Sequence, residues 1–296
     1  MISDIRRSHL LLVGVVCAFL AGCGASASPT PTTSGSATAA AASAASTPTA
    51  APSVEPDLTL VAVGDSIPFN SNDDCPGCTG FVRRYATALG TATGKTVGVR
   101  NLSQHTGLQV QGLLDELGVG APVGRAKDVA KADAIIVGIA HNDVPMNRDD
   151  DACDGVGGDN PDWSKFTDEC IATEVARFTP MYEGVFKRIA ELRTGKPTIL
   201  RTVNRYNDWN GWPGHDLSAA GVAATAKVIK AWNRMICEAA EANEFTCADI
   251  STAFNGEDGT QPSGNLLARD YTHPSDLGNS VIADVLVKLG FAPLAP

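Results

Sequence analysis

The chain has 296 residues, a formal charge of −10 and a hydrophobic content of 44%. That is apolar enough for a sizeable core, which excludes a chain disordered throughout. With no basic stripe to neutralise phosphates, the acidic balance excludes nucleic acid as a partner.

At the N-terminus, Arg6 and Arg7 precede an apolar run from Leu10 to Leu20, followed by small residues. This is the pattern of a secretory signal, and the run is too short to span a bilayer. Leu20-Ala21-Gly22-Cys23 resembles the lipobox of bacterial lipoproteins, which implies cleavage before Cys23 and acylation of its thiol. Residues 1–22 are therefore expected to be a lipoprotein signal peptide. Export with an unmodified Cys23 is the alternative. From Gly24 to Pro56 the chain is almost entirely Ala, Ser, Thr, Pro and Gly. Such a stretch cannot offset the entropy of ordering, so residues 23–56 read as a disordered tether. The expected location is extracytoplasmic, held to the cell membrane through the lipid on Cys23. Residues 57–296 are long enough for one α/β domain, expected to be monomeric.

Five short runs rich in Val, Ile and Leu read as buried parallel strands: Leu58–Val63, Val97–Leu102, Ala134–Ile139, Thr198–Val203 and Phe245–Ile250. Helices are expected between them. Phe81–Leu89 places Phe81, Tyr85, Ala88 and Leu89 on one face, and Thr173–Arg193 repeats Val175, Phe178, Tyr182, Val185, Phe186, Ile189 and Leu192. Ala219–Asn243 carries Val222, Ala226, Ile229, Trp232 and Ile236. A last helix is expected to begin near Pro274 and to present Leu277, Val281, Val285 and Leu289. Alternation of this kind predicts a three-layer α/β/α sandwich with a five-stranded parallel sheet and flavodoxin-like winding. Sites in such sheets lie at the carboxyl ends of the strands.

Apart from Cys17 and Cys23, six cysteines remain, an even number that in an exported chain argues for disulfides. They fall into sequence-local couples: Cys75 with Cys78, Cys153 with Cys170, and Cys237 with Cys247. Cys75-Pro76-Gly77-Cys78 also has redox-motif spacing, but nothing else supports a thioredoxin-like unit. No set of residues has zinc-ligand spacing.

Four segments carry candidate chemistry. The first strand ends in Gly64-Asp65-Ser66, which suits an exposed serine hydroxyl; a turn with Asp65 or Ser66 capping a helix is the other reading. Near the C-terminus, Asp270-Tyr271-Thr272-His273-Pro274 puts a carboxylate three residues before a histidine that Pro274 keeps out of a helix. An imidazole held by a carboxylate is the base that a weak serine nucleophile needs. Asn142, in Gly138-Ile139-Ala140-His141-Asn142-Asp143, follows the middle strand, and Gly107, in Ser103-Gln104-His105-Thr106-Gly107, follows the second. Each suits either a turn or an oxyanion donor.

In order, Gly64-Asp65-Ser66, Gly107, Asn142-Asp143 and Asp270-x-x-His273 resemble the four blocks of the SGNH hydrolases, the GDSL-type esterases and lipases. The resemblance spans essentially the whole domain. It implies that Ser66 is the nucleophile, that His273 is the general base and acid, and that Asp270 orients His273. The N–H groups of Ser66 and Gly107 and the Asn142 amide would form the oxyanion hole, and no metal or other cofactor is implied. Two positions depart from the family pattern: Ala140 stands where members commonly have glycine, and His141 precedes Asn142.

Two long connections, Pro145–Cys170 and Asn204–Asp216, are expected to border the cleft. The candidate substrate contacts on these segments and the middle-strand turn are His141, Tyr206, Trp209 and Trp212, although the aromatics equally suit packing of a loop and His141 a surface turn. The expected function is hydrolysis of carboxylic esters through an acyl-serine intermediate, on a lipid, glycolipid or acylated polysaccharide. Acyl transfer by the same residues is one alternative. A binding lipoprotein that holds carbohydrate or lipid without chemistry is another, and a structural envelope protein a third.

Overall fold

Alternate residues of the apolar runs point to opposite faces of one sheet. Strands β1 (Leu58–Gly64), β2 (Val97–Asn101), β3 (Ala134–Gly138), β4 (Ile199–Val203) and β5 (Thr246–Ala248) pair in the order β2-β1-β3-β4-β5, every pair parallel. The computed structural model describes residues 55–118, 124–157, 160–211 and 217–295. The expected signal peptide, Cys23, most of the tether and Trp212 lie outside the described residues. Among those described, no helix is long and apolar enough to cross a membrane.

Eight helices cover the sheet among the described residues: α1 (Ser66–Phe69), α2 (Phe81–Thr93), α3 (Val110–Glu116), α4 (Arg125–Val129), α5 (Asp168–Leu192), α6 (Ala219–Glu241), α7 (Ile250–Asn255) and α8 (Asp276–Lys288). Val61, Val63, Ile135 and Val137 face one layer, where α3, α4, α5 and α6 bury Leu113, Val129, Phe186 and Trp232. Leu60, Ala62, Ala134 and Ile136 face the other, against Tyr85 and Leu89 of α2, Phe254 of α7 and Leu286 of α8. The expected three-layer sandwich is the architecture found.

The long helices start where side chains satisfy their free N–H groups. Thr167 caps α5 by accepting from Cys170 N, Ser218 caps α6 and Ser275 caps α8. Asp168 and Glu169 add favourable charge at the start of α5. The Ser275 cap shifts the last helix two residues past the expected start, because Pro274 instead pairs with Leu267 in an antiparallel bridge. Its buried face is Ile282, Ala283 and Leu286, and Leu277 is 48% exposed. The fifth strand is shorter than expected, since Asp249 caps α7 and takes Ile250 into that helix.

The three expected cysteine couples are disulfides, Cys75–Cys78, Cys153–Cys170 and Cys237–Cys247. The connection after β4 differs from expectation. Asn204–Asn210 is buried throughout, not laid along a cleft. Two buried amides make that possible by replacing sheet partners. Asn233 accepts from Arg205 N (2.8 Å) and donates to Arg205 O (2.7 Å), and Asn255 does the same for Asn207 (2.7 and 3.0 Å).

Candidate active site

Ser66 opens α1 directly beyond the carboxyl end of β1 and is 8% exposed. Asp65, wholly buried, accepts from Ile67 N (3.0 Å) through one carboxylate oxygen and from Ala140 N (3.0 Å) and His141 N (3.1 Å) through the other. One side chain thus caps the serine's helix and pins it to the turn after β3. Burial pushes the Asp65 carboxyl up, against those three backbone donors. Gly64 sits opposite Gly138 in the strand register, and a Cβ on Gly64 would fall 1.8 Å from the Gly138 carbonyl oxygen. No side chain fits there, so the serine turn and the middle strand touch through backbone.

His273 stands on a tight loop closed by Ala268 N donating to His273 O (2.7 Å) and Ser275 N donating to Leu266 O (2.8 Å). Tyr271, at the loop's tip, has φ of 58°, a left-handed conformation unusual for a bulky residue. Asp270 folds back within this turn. One of its carboxylate oxygens accepts from the N–H groups of Thr272 (3.1 Å) and His273 (3.0 Å), and the other lies 2.6 Å from His273 Nδ1. Burial raises the Asp270 carboxyl, but these bonds outweigh it and hold it below the ordinary value. Burial also disfavours the charged imidazole of His273. The Asp270 bond and the charges of Asp270, Asp74 and Asp65 overcome that and raise its pKa. Its Nε2 is buried with no hydrogen-bond partner, and no bond to Ser66 Oγ is formed among the described residues. Hydrogen bonds of this kind commonly close only around substrate.

Gly107 is exposed with φ of 52°, and Asn142 donates from Nδ2 to Leu108 O (3.0 Å). The two segments are stitched together. Gln109 Nε2 donates to Asn142 O (3.1 Å), and the Asp143 carboxylate accepts from Val110 N (3.1 and 3.2 Å) and from the Tyr182 hydroxyl (2.9 Å). Burial pushes the Asp143 carboxyl up to about 7. Ala140 has no positive φ, and its N–H serves Asp65, so the missing glycine leaves the turn intact.

Of the candidate substrate contacts, His141, Tyr206 and Trp209 lie inside the protein. His141 is 6% exposed, not on a surface turn, with its ring 4.7 Å from that of Tyr206. Its pKa falls well below the ordinary value because of burial and the nearby charges of Arg205 and His273. Tyr206 is fully buried, stacked on Phe254, and its hydroxyl donates to Thr272 O (2.6 Å). It therefore braces the His273 loop from behind. Trp209 packs edge-on against Trp163 and donates to Asn147 Oδ1 (2.8 Å).

Sequence reasoning did not single out Asp74. Its carboxylate lies 3.5 Å from His273 Nε2 and 3.2 Å from His105 Nε2. The pattern Asn72-Asp73-Asp74-Cys75, acidic residues against a cysteine clip just after the serine helix, is the signal that marks it. Asp74, Asp270 and His273 are the one group of possible metal ligands found among the described residues, their atoms within 4.8 Å. Asp270 and His273 already share a hydrogen bond through Nδ1.

The model of the GDSL-like lipase/acylhydrolase family matches residues 62–281. No curated protein matches the sequence. Among solved structures, a lipase from a goat rumen metagenome is similar with TM-score 0.60 at 20% identity, covering 80% of this chain and 99% of that one. An acetyl xylan esterase matches at TM-score 0.52 and 17% identity (79% and 100% covered). An extracellular lipase from Streptomyces rimosus matches at 0.51 and 17% (78% and 99% covered).

Proposed function

The chain belongs to the GDSL-like lipase/acylhydrolase family and is a carboxylic ester hydrolase, and from that premise we propose that it works through an acyl-Ser66 intermediate. The carrying observation is the Asp270–His273 pair, 2.6 Å apart through Nδ1, with Nε2 making no hydrogen bond in the protein. Nε2 takes the Ser66 proton as Oγ attacks the ester carbonyl. Asp270 stays ionised and stabilises the imidazolium. The negative charge on the carbonyl oxygen is met by the N–H groups of Ser66 and Gly107 and by the Asn142 amide, each donor worth about 10²–10³ in rate. As the C–O bond breaks, Nε2 returns its proton to the departing alcohol. Water, activated by the same nitrogen, then frees the acid and Ser66. His141, pushed the other way in pKa, stays neutral beside this exchange.

We further propose export and lipid attachment at Cys23, with residues 23–56 as the tether. The disulfides support an oxidising compartment, and the acyl chain supplies the membrane contact. Incorporation of labelled palmitate that persists in Cys23→Ser would refute attachment there. For the catalytic reading, the full chain and Ser66→Ala are treated with a fluorophosphonate reagent and assayed on 4-nitrophenyl acetate. Labelling and turnover that vanish together in the variant are the expected result. Equal labelling of both proteins would remove Ser66 as nucleophile.

A further inference from the structure

A base that hands a proton to the leaving alcohol must face that alcohol. Groups beside His273 Nε2 therefore border the alcohol half of the ester, whereas Gly107 and Asn142 border its carbonyl oxygen. Asp74 is that neighbour, with Oδ2 3.5 Å from Nε2 and 3.2 Å from His105 Nε2. The other oxygen, Oδ1, is hydrogen-bonded to His105 Nε2 (3.3 Å), whereas Oδ2 is shielded from water yet accepts no hydrogen bond in the protein. Its position is fixed by the clip around it. Cys75 is bonded to Cys78, Cys75 N donates to Ser71 O (3.1 Å), and Gly77 N donates to Asn72 Oδ1 (3.0 Å). Thr79 N donates to Asp276 Oδ1 (3.0 Å), tying the segment to the start of α8. Phe69, 39% exposed, stacks its ring on the same imidazole with centroids 5.5 Å apart.

Resting on the acyl-serine reading, we propose that Asp74, His105 and Phe69 form the seat of the alcohol and select esters of a polyol, a sugar ring above all. A carboxylate offers acceptors and no donor, so a seat built on Asp74 favours an alcohol that keeps a free hydroxyl next to its esterified oxygen. The exposed aromatic face of Phe69 takes the C–H face of the ring. The same carboxylate turns away an alcohol that carries a negative charge. A hydrogen bond to a charged acceptor discriminates by about ten- to a hundredfold.

The test compares the full chain with Asp74→Asn and Phe69→Ser on three acetate esters, so that the acyl half stays constant. The esters are a monoacetylated methyl xyloside, 4-nitrophenyl acetate and 4-acetoxybenzoate, and the readout is the ratio of kcat/KM values within each protein. In Asp74→Asn the xyloside-to-nitrophenyl ratio is expected to fall about ten- to a hundredfold, and the acetoxybenzoate-to-nitrophenyl ratio to rise about tenfold. Phe69→Ser, altered at an exposed side chain, is expected to lower the xyloside ratio without raising the acetoxybenzoate ratio, and it carries the test should Asp74→Asn fail to fold. Ratios unchanged within about twofold in both variants would overturn the seat. A common fall on all three esters in Asp74→Asn, with a displaced acid limb of the pH profile, would overturn it too, because Asp74 would then act through His273. A wild-type chain that turned over none of the three and took no fluorophosphonate would instead defeat the acyl-serine reading beneath the proposal.

Discussion

Asp143→Asn isolates a single ionisation in the core. The carboxyl is buried, and its pKa is raised from 3.8 to about 7. Between those values the folded state holds a proton that the unfolded chain has lost, so this group makes stability fall as pH rises. The fall is about 4 kcal/mol in all; it begins near pH 4, and about 2 kcal/mol of it lies between pH 5 and pH 7. Asparagine keeps the shape and accepts from Val110 N, but it reverses the hydrogen bond with Tyr182, a pH-independent cost of about 1 kcal/mol. The wild-type and variant stabilities, measured by urea denaturation at pH 4, 5, 6, 7 and 8, are therefore expected to cross between pH 4 and pH 5. The variant starts slightly lower at pH 4 and ends about 3 kcal/mol higher at pH 8. Taking the difference between the proteins cancels the contributions of Asp208, Asp270 and His273, which also titrate away from their ordinary values. Two parallel curves would refute the reasoning, because Asp143 would then be ionised throughout or in contact with water.

The His273 loop gives two further expectations under the proposed mechanism. The acid limb of kcat/KM should have its midpoint above 6.5, since His273 is raised and must be neutral to act; Asp270→Asn should lower that midpoint and reduce kcat by about 10³–10⁴. Tyr206→Phe, which removes the donor to Thr272 O, should reduce kcat more than it changes KM and lower stability by about 1 kcal/mol in thermal melts. The serine turn gives a contrast between two glycines. Gly64→Ala should yield no folded protein, because its Cβ meets a backbone oxygen at 1.8 Å. Gly138→Ala meets side-chain atoms of Pro68 and Val203 at 3.2–3.3 Å and should cost about 1–2 kcal/mol, measured by urea denaturation.

The sheet was legible because a parallel strand buried on both faces is written as an unbroken apolar run, as in Ala134–Gly138. Short helices were not. α3 follows Gln109, which makes no side-chain cap, and α4 has five residues, too few for a periodic pattern. Asp270 and His273 could be read together because three residues separate them. Asp74 approaches His273 from the other end of the chain, and Asp143 reaches Val110 from 33 residues away. Neither relation leaves a trace in local spacing. The aromatics after β4 show a different limit. Tyr206 and Trp209 suggest a cleft by composition, but Asn233 and Asn255, on separate helices, supply the amides that let their loop go inside.

The disulfides bear on how the protein can be produced. Their cysteines are 3, 17 and 10 residues apart, and none bridges two strands of the sheet. Closing the longest of these loops stabilises by about 3 kcal/mol in the chain-entropy view, and the shorter ones by less. Scrambled pairing is disfavoured from the start, because each thiol's partner is also among its nearest in sequence. Recovery from inclusion bodies by simple air oxidation is therefore a realistic route. A reducing cytosolic host would deliver a chain with its layers assembled and its Asp74 clip unfastened, which makes cytosolic material a poor basis for judging which alcohols the enzyme accepts.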